Sequence, residues 1–164
     1  MLFFTRRLRA LGALALLLAA LPAVRPALAA GPYIVTKTAD TADGACTADC
    51  SLREAIAAAN AAPGPISFNI PTGDAGFQPI GSYWRIAVAT PLPALSGGGI
   101  AIDGLGGDGK PKIELSGGGT TRLQGLLITS ANNTVKGLII NGFIPNPQEG
   151  FGIRLSGEDV GRGT

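Results

Sequence analysis

Few residues in this chain have the chemistry to act on a ligand, and they fall into two groups. The first comprises Asp40, Asp43, Cys46, Asp49, Cys50, Arg53 and Glu54; the second comprises Asp103, Asp108 and Glu114. Histidine is absent from the sequence, which excludes His-based acid/base catalysis, a Ser-His-Asp triad and His-liganded metals within this chain. Three residues separate Cys46 from Cys50, which is neither the Cys-x-x-Cys redox spacing nor a set with enough ligands for zinc. Asp40, Asp43 and Asp49 offer oxygens that calcium would accept, but not at the spacing of an EF-hand. Glycosidic chemistry needs two carboxylates about 5 to 10 Å apart. Asp103-Gly104 and Asp108-Gly109 instead read as turns, and Glu114 alternates with Ile113 and Leu115, so it points outward as ordinary surface.

The compartment decides the state of the cysteines. Arg6, Arg7 and Arg9 precede an uncharged apolar run of twelve residues, Ala10 to Leu21, and Ala27-Leu28-Ala29 has the small-x-small pattern of a cleavage site. This is the anatomy of a secretory signal peptide over residues 1–29, and the run is well short of the roughly 20 residues that span a bilayer. In an exported chain the expected state of Cys46 and Cys50 is a disulfide. The ring it closes is small, so its use is to fix how the chain enters the next element.

Removing the leader also removes the basic character. Four of the 13 basic residues and none of the 11 acidic ones lie in it, which leaves 9 basic against 11 acidic residues. That balance argues against nucleic acid as a partner. About 135 residues remain, enough for one domain with a modest core, and 24 of the chain's 25 glycines are among them.

The one clearly helical stretch follows the cysteines. Ser51 and Glu54 have the spacing of a capping box. Alanines at 55, 57, 58 and 59 favour helix, and Leu52, Ala55, Ile56 and Ala59 line a narrow apolar face. Pro63-Gly64-Pro65 ends it after about ten residues. Arg53 and Glu54 are accounted for by capping and a surface ion pair. Upstream, Tyr33 to Thr38 reads as a first strand, and Asp43-Gly44 as a turn.

The segment from Asp40 to Asn60, DTADGACTADCSLREAIAAAN, resembles the N-terminal domain named after its CSLREA motif. Cys50-Ser51-Leu52-Arg53-Glu54-Ala55 matches that motif letter for letter. The domain opens secreted bacterial proteins with right-handed parallel β-helix repeats of the pectin-lyase-like kind. The resemblance implies export and architecture and brings no catalytic residues with it.

From Pro65 onward the chain reads as short strands broken by Gly, Asn and Pro. The candidates are Ile66 to Ile70, Trp84 to Ala89, Gly99 to Asp103, Lys112 to Leu115, Leu126 to Thr129, Val135 to Asn141 and Gly152 to Leu155. Leu95-Ser96-Gly97-Gly98-Gly99 recurs twenty residues on, from Leu115 to Gly119, and Leu155-Ser156-Gly157 lies forty beyond Leu115. Gly99 to Gly104 resembles Gly137 to Gly142. A period near twenty, doubled to near forty, suits the coils of a solenoid. The glycine triplets are expected at coil corners, since no Gly-Lys-Ser/Thr follows them. Asn132-Asn133-Thr134 is read as a further corner rather than a glycan acceptor.

The expected fold is therefore all-β: a right-handed parallel β-helix with a short capping helix, incomplete at its C-terminus, where Gly161 to Thr164 carries no cap pattern. The expected division is a leader (1–29), a strand, cysteine pair and capping helix (30–64), and the first coils (65–164). The expected function is a secreted or cell-surface protein, structural, adhesive or glycan-contacting, with no catalytic residue, cofactor or metal in this chain. Its expected partners are polysaccharides or cell-surface glycans, with further coils downstream. The alternative is the N-terminal part of a polysaccharide lyase or glycosidase on the same fold.

Overall fold

A computed structural model describes residues 31–119, 124–144 and 150–157. Residues 1–30, on which the expected leader falls, and residues 158–164 lie outside that set. The elements in chain order are β1 (Tyr33–Val35), α1 (Leu52–Ala61), β2 (Pro65–Phe68), β3 (Phe77–Gln78), β4 (Tyr83–Ala87), β5 (Ala101–Asp103), β6 (Ile113–Ser116), β7 (Leu126–Ile128), β8 (Thr134–Lys136), β9 (Leu138–Asn141) and β10 (Ile153–Leu155).

The strands are short because glycine and asparagine corners interrupt them, and they stack by turns. One sheet runs β1-β2-β5-β8, a second β3-β4-β6-β9, and a third pairs β7 with β10. Leu95 extends the third by a parallel bridge to Ile128. Every pairing between these strands is parallel except β3 with β4. Each full turn thus visits all three sheets, and the molecule is a parallel β-solenoid of about four turns. Inward side chains form columns: Ile66, Ile102 and Val135 in the first sheet, and Ile86, Leu115 and Ile140 in the second. This continuous apolar core is how each turn buries surface that it cannot bury alone.

The repeat unit differs from the one the self-similar segments imply. Hydrogen bonds between the strands and corners of successive turns join residues 23 to 37 positions apart, as with Gly119 to Gly142, Asn133 to Ile100 and Gly97 to Asn60. Leu95 stacks on Ile128 in the third sheet, whereas Leu115 stacks on Ile86 and Ile140 in the second. Gly99 to Gly104 and Gly137 to Gly142 likewise supply strands to different sheets. The physical reason is that a short apolar strand followed by a glycine corner solves the same local problem on every face. Sequence likeness therefore marks faces within a turn as well as successive turns.

The stretch from Val135 to Asn141 is two strands in two sheets rather than one. Gly137 is the corner, at φ 69°, and a Cβ there would lie 2.5 Å from the Leu105 amide nitrogen, so no other residue fits without a shift. Asn132 takes the left-handed conformation at another corner, φ 61°. β3 has no counterpart among the expected strands; it is an antiparallel addition to the outer edge of β4.

Helix α1 begins at Ser51, whose hydroxyl accepts from the Glu54 amide while the Glu54 carboxylate accepts from the Ser51 amide, the complete capping box. It stops at Ala62, which is extended and precedes Pro63. Leu52, Ala55, Ile56 and Ala59 are buried with Val35 and Ile66 in the core, so the helix lies over the first turn of the stack.

Candidate functional site

The cysteines and the helix motif form one construction. Cys46 and Cys50 are joined by a disulfide, and Cys50 is buried immediately before the helix N-cap. Thr36 ties this ring to β1: its amide donates to the Cys50 carbonyl, its hydroxyl to the Ala48 carbonyl, and the Cys50 amide returns a bond to that hydroxyl. Ser51 also donates to the Thr41 carbonyl, and Glu54 accepts from the Asp43 amide. Burial pushes the Glu54 carboxyl up, but the bonds from Ser51 and Asp43 outweigh it and hold the group at about 2.

Arg53 is not the surface ion pair expected of it. Its Nε and Nη2 donate to both oxygens of Asp40 at 2.8 Å, with side chains 14% and 5% exposed. The same guanidinium donates to the Pro91 and Thr90 carbonyls at 2.7 and 2.8 Å. Asn60 completes the attachment, donating to the Ala94 carbonyl and accepting from the Ser96 and Gly97 amides. Both residues reach segment 90–97, which sequence spacing could not place beside the helix. Each polar side chain of the motif is thus engaged in fastening the helix over the stack.

The three aspartates near the cysteines do not converge. Asp40 is held by Arg53, whereas Asp43 and Asp49 both pair with Lys37. Among the described residues no group of three or more Cys, Asp or Glu side chains is placed to hold a metal. The glycine corners are equally committed: the Gly98 amide donates to Ser130, the Gly99 amide to the Ala131 carbonyl and the Gly119 amide to the Gly142 carbonyl.

The second candidate group also separates. Asp103 pairs across turns with Lys136 at 2.9 Å, and Asp108 pairs within its own turn with Lys112 at 3.1 Å. Glu114 does face outward from β6, as alternation predicts, but it is buried rather than ordinary surface. Arg85 on the preceding turn donates to its Oε2 at 2.7 Å, and Asn141 on the following turn donates to its Oε1 at 2.7 Å. Burial raises the Glu114 carboxyl, yet these bonds, with Tyr83 adding to them, keep it below its ordinary value. The result is a polar row of Tyr83, Arg85, Glu114 and Asn141 running across three turns of the second sheet. Sequence reasoning missed Arg85, Tyr83 and Asn141. The available signal was the outward position of Arg85 between inward Trp84 and Ile86, and it needed the true turn length to be read.

Two depressions flank these features. One, of about 220 Å³, lies at the corner between the first and second sheets, walled by Phe68 and Trp84 with Lys112 at its side. The other, of about 400 Å³, lies between the disulfide ring and the outer face of α1 at Ala57 and Ala58. No helix among the described residues is long and apolar enough to cross a membrane. Comparison of the chain with protein-family models, curated proteins and solved structures finds no match.

Proposed function

We propose that this chain is a secreted or cell-surface scaffold of the CSLREA kind, a right-handed β-helix that contacts glycans along its side and does no chemistry on them. The observation that carries the scaffold reading is the use made of the motif. Ser51, Arg53, Glu54 and Asn60 are all spent on holding a lid over the stack. The leader pattern and the disulfide support export. The polar row on the second sheet is the face best suited to sugar hydroxyls, because it combines an aromatic ring, a guanidinium and an amide on a rigid surface.

Catalysis on polysaccharide has less support. A hydrolase acid must carry a proton, and the only carboxylate in the row, Glu114, is held ionised by Arg85 and Asn141.

The test is to express the chain with its leader in a bacterial host, fractionate the cells, and challenge the exported protein with immobilised polysaccharides and a cleavage assay. Export with an oxidised cysteine pair, retention on glycans and no new reducing or unsaturated ends are expected. Retention in the cytoplasm or failure to bind any glycan would overturn the proposal, and cleavage would restore the enzyme reading.

A further inference from the structure

Asn141-Gly142 is the only Asn-Gly pair in the sequence. Glycine has no Cβ to shield its nitrogen, so this pairing is the one most open to attack by a main-chain amide on the preceding side chain. Both residues are exposed where β9 ends. Among the described residues the Gly142 amide has no acceptor, so no hydrogen bond holds its nitrogen in place. What restrains the pair lies on Asn141. Its Nδ2 donates to Glu114 Oε1 at 2.7 Å, and its carbonyl accepts from the Gly117 amide at 3.0 Å. Closing a ring between the Gly142 nitrogen and Asn141 Cγ requires the main chain to leave its extended strand geometry, so both bonds must first be given up.

The neighbours make the product of that closure matter. Glu114 is buried, and its Oε2 is taken by Arg85 at 2.7 Å, so the Asn141 amide is the donor that serves its other oxygen. A carboxylate at position 141 would have no proton to give and would face Glu114 charge to charge at hydrogen-bond distance. An isoaspartate would in addition lengthen the main chain by one carbon, beside a Gly142 carbonyl that accepts from the Gly119 amide at 2.9 Å. The turn that carries β9 also adjoins the exposed end of the stack, where Ile144, Phe151 and Leu155 face solvent. Little apolar surface holds it shut, and local opening is favoured there over the rest of the body.

We propose that Asn141-Gly142 is a spontaneous deamidation site, gated by opening of the turn that carries β9, and that its product keeps that turn from reclosing. The Gly142 nitrogen attacks Asn141 Cγ. The N–Cγ bond forms, the Cγ–Nδ2 bond breaks, and Nδ2 leaves as ammonia with the proton that Gly142 gives up. Water then opens the cyclic imide, at Cγ to give aspartate or at the main-chain carbonyl to give isoaspartate. The exchange of amide for acid needs only water. A molecule whose exposed end has frayed is thereby marked with a negative charge that opposes its repair, whereas the lid end carries no Asn-Gly pair.

The test incubates the purified full chain at neutral pH beside a synthetic peptide of residues 138–144, and maps both by mass spectrometry. Position 141 is expected to show the mass gain of amide turned to acid, with ammonia released in step and isoaspartate outweighing aspartate. The rate in the folded chain should be severalfold below that of the peptide. Glu114→Ala unties Nδ2 and should raise the rate severalfold; sub-denaturing urea should do the same and serves if that variant does not fold. Asn141→Ala loses the bond to Glu114 without adding a charge. Asn141→Asp should therefore lower the hydrogen-exchange protection of the β6 and β9 amides severalfold more than Asn141→Ala does, with α1 unchanged in both. If Asn141→Asp does not fold, the aged wild-type fraction separated by anion exchange is measured in its place. No conversion at position 141 in the chain would overturn the site. A rate equal to that of the peptide, or one that neither Glu114→Ala nor urea moves, would overturn the gate. Equal protection in the acid and alanine forms would overturn the block to reclosing.

Discussion

The two ends of the described stack are finished differently. At the first turn, α1 covers the apolar column with Leu52, Ala55, Ile56 and Ala59, and β3 occupies the outer edge of β4. At the last described turn the equivalent column is open. Leu126 is fully buried, but its register partner Ile153 is 46% exposed, and Leu155, stacked on Ile128, is 61% exposed. Phe151 and Ile144 are exposed beside them. The difference teaches that the lid is not a by-product of solenoid packing. A β-strand ladder propagates by repeating itself and has no internal stop, so a covered end needs an element of another kind with its own attachments.

The largest test of that contrast is the attachment itself. Arg53→Ala would leave the buried Asp40 carboxylate with only the Ala89 and Thr90 amides and would release Thr90 and Pro91 from the helix. Chemical denaturation should show a loss of about 3 to 5 kcal/mol. A loss under 1 kcal/mol would return the pair to the status of a surface contact.

A smaller effect separates the ends by the same kind of deletion. Ile56→Ala under the lid should cost about 2 to 5 kcal/mol, whereas Leu155→Ala at the open end should stay within about 0.5 kcal/mol. Equal losses would mean that the open column is covered in solution.

Acid should loosen the lid before the body. The Glu54 carboxyl ionises at about 2 in the folded chain against 4.5 as its ordinary value. A depressed carboxyl contributes stability that is complete above pH 4.5 and is lost as pH falls toward 2. The protection factors of the α1 amides, with the intrinsic pH dependence of exchange divided out, should fall across that window as the wild type is acidified. In Glu54→Gln, protection should be lower at neutral pH and nearly flat across the window.

Smallest of the set, Ser51→Ala should cost about 1 kcal/mol, the ordinary worth of an N-cap. Its exchange effect should be confined to the first turn of α1.

Some parts of this outcome were legible in the residues. The capping box, the apolar face of α1 and the stop at Pro63 depend on contacts within four residues, so local pattern carries them. The alternation in Ile113 to Leu115 gave the outward direction of Glu114 for the same reason. The turn length was not legible, because the glycine corners look alike on all three faces. Once that length was misjudged, the pairing of Glu114 with Arg85 and Asn141 was out of reach, and Glu114 passed as ordinary surface. The role of Arg53 failed likewise: Asp40 is near it in sequence, but Thr90 and Pro91 are brought to it only by a whole turn of the solenoid.

What the sequence determined by itself is the alphabet of the fold: short β-branched strands, left-handed corners at glycine and asparagine, one capped helix and a cysteine ring at its entrance. Steric limits and local hydrogen bonds act on neighbours, so residue order is enough to read them. Tertiary structure alone decided which strands stack, that Arg53 fastens the lid and that Arg85 pairs with Glu114 across turns. Those outcomes depend on register between residues some 25 to 38 positions apart, and only the closing of each turn over the last sets that register.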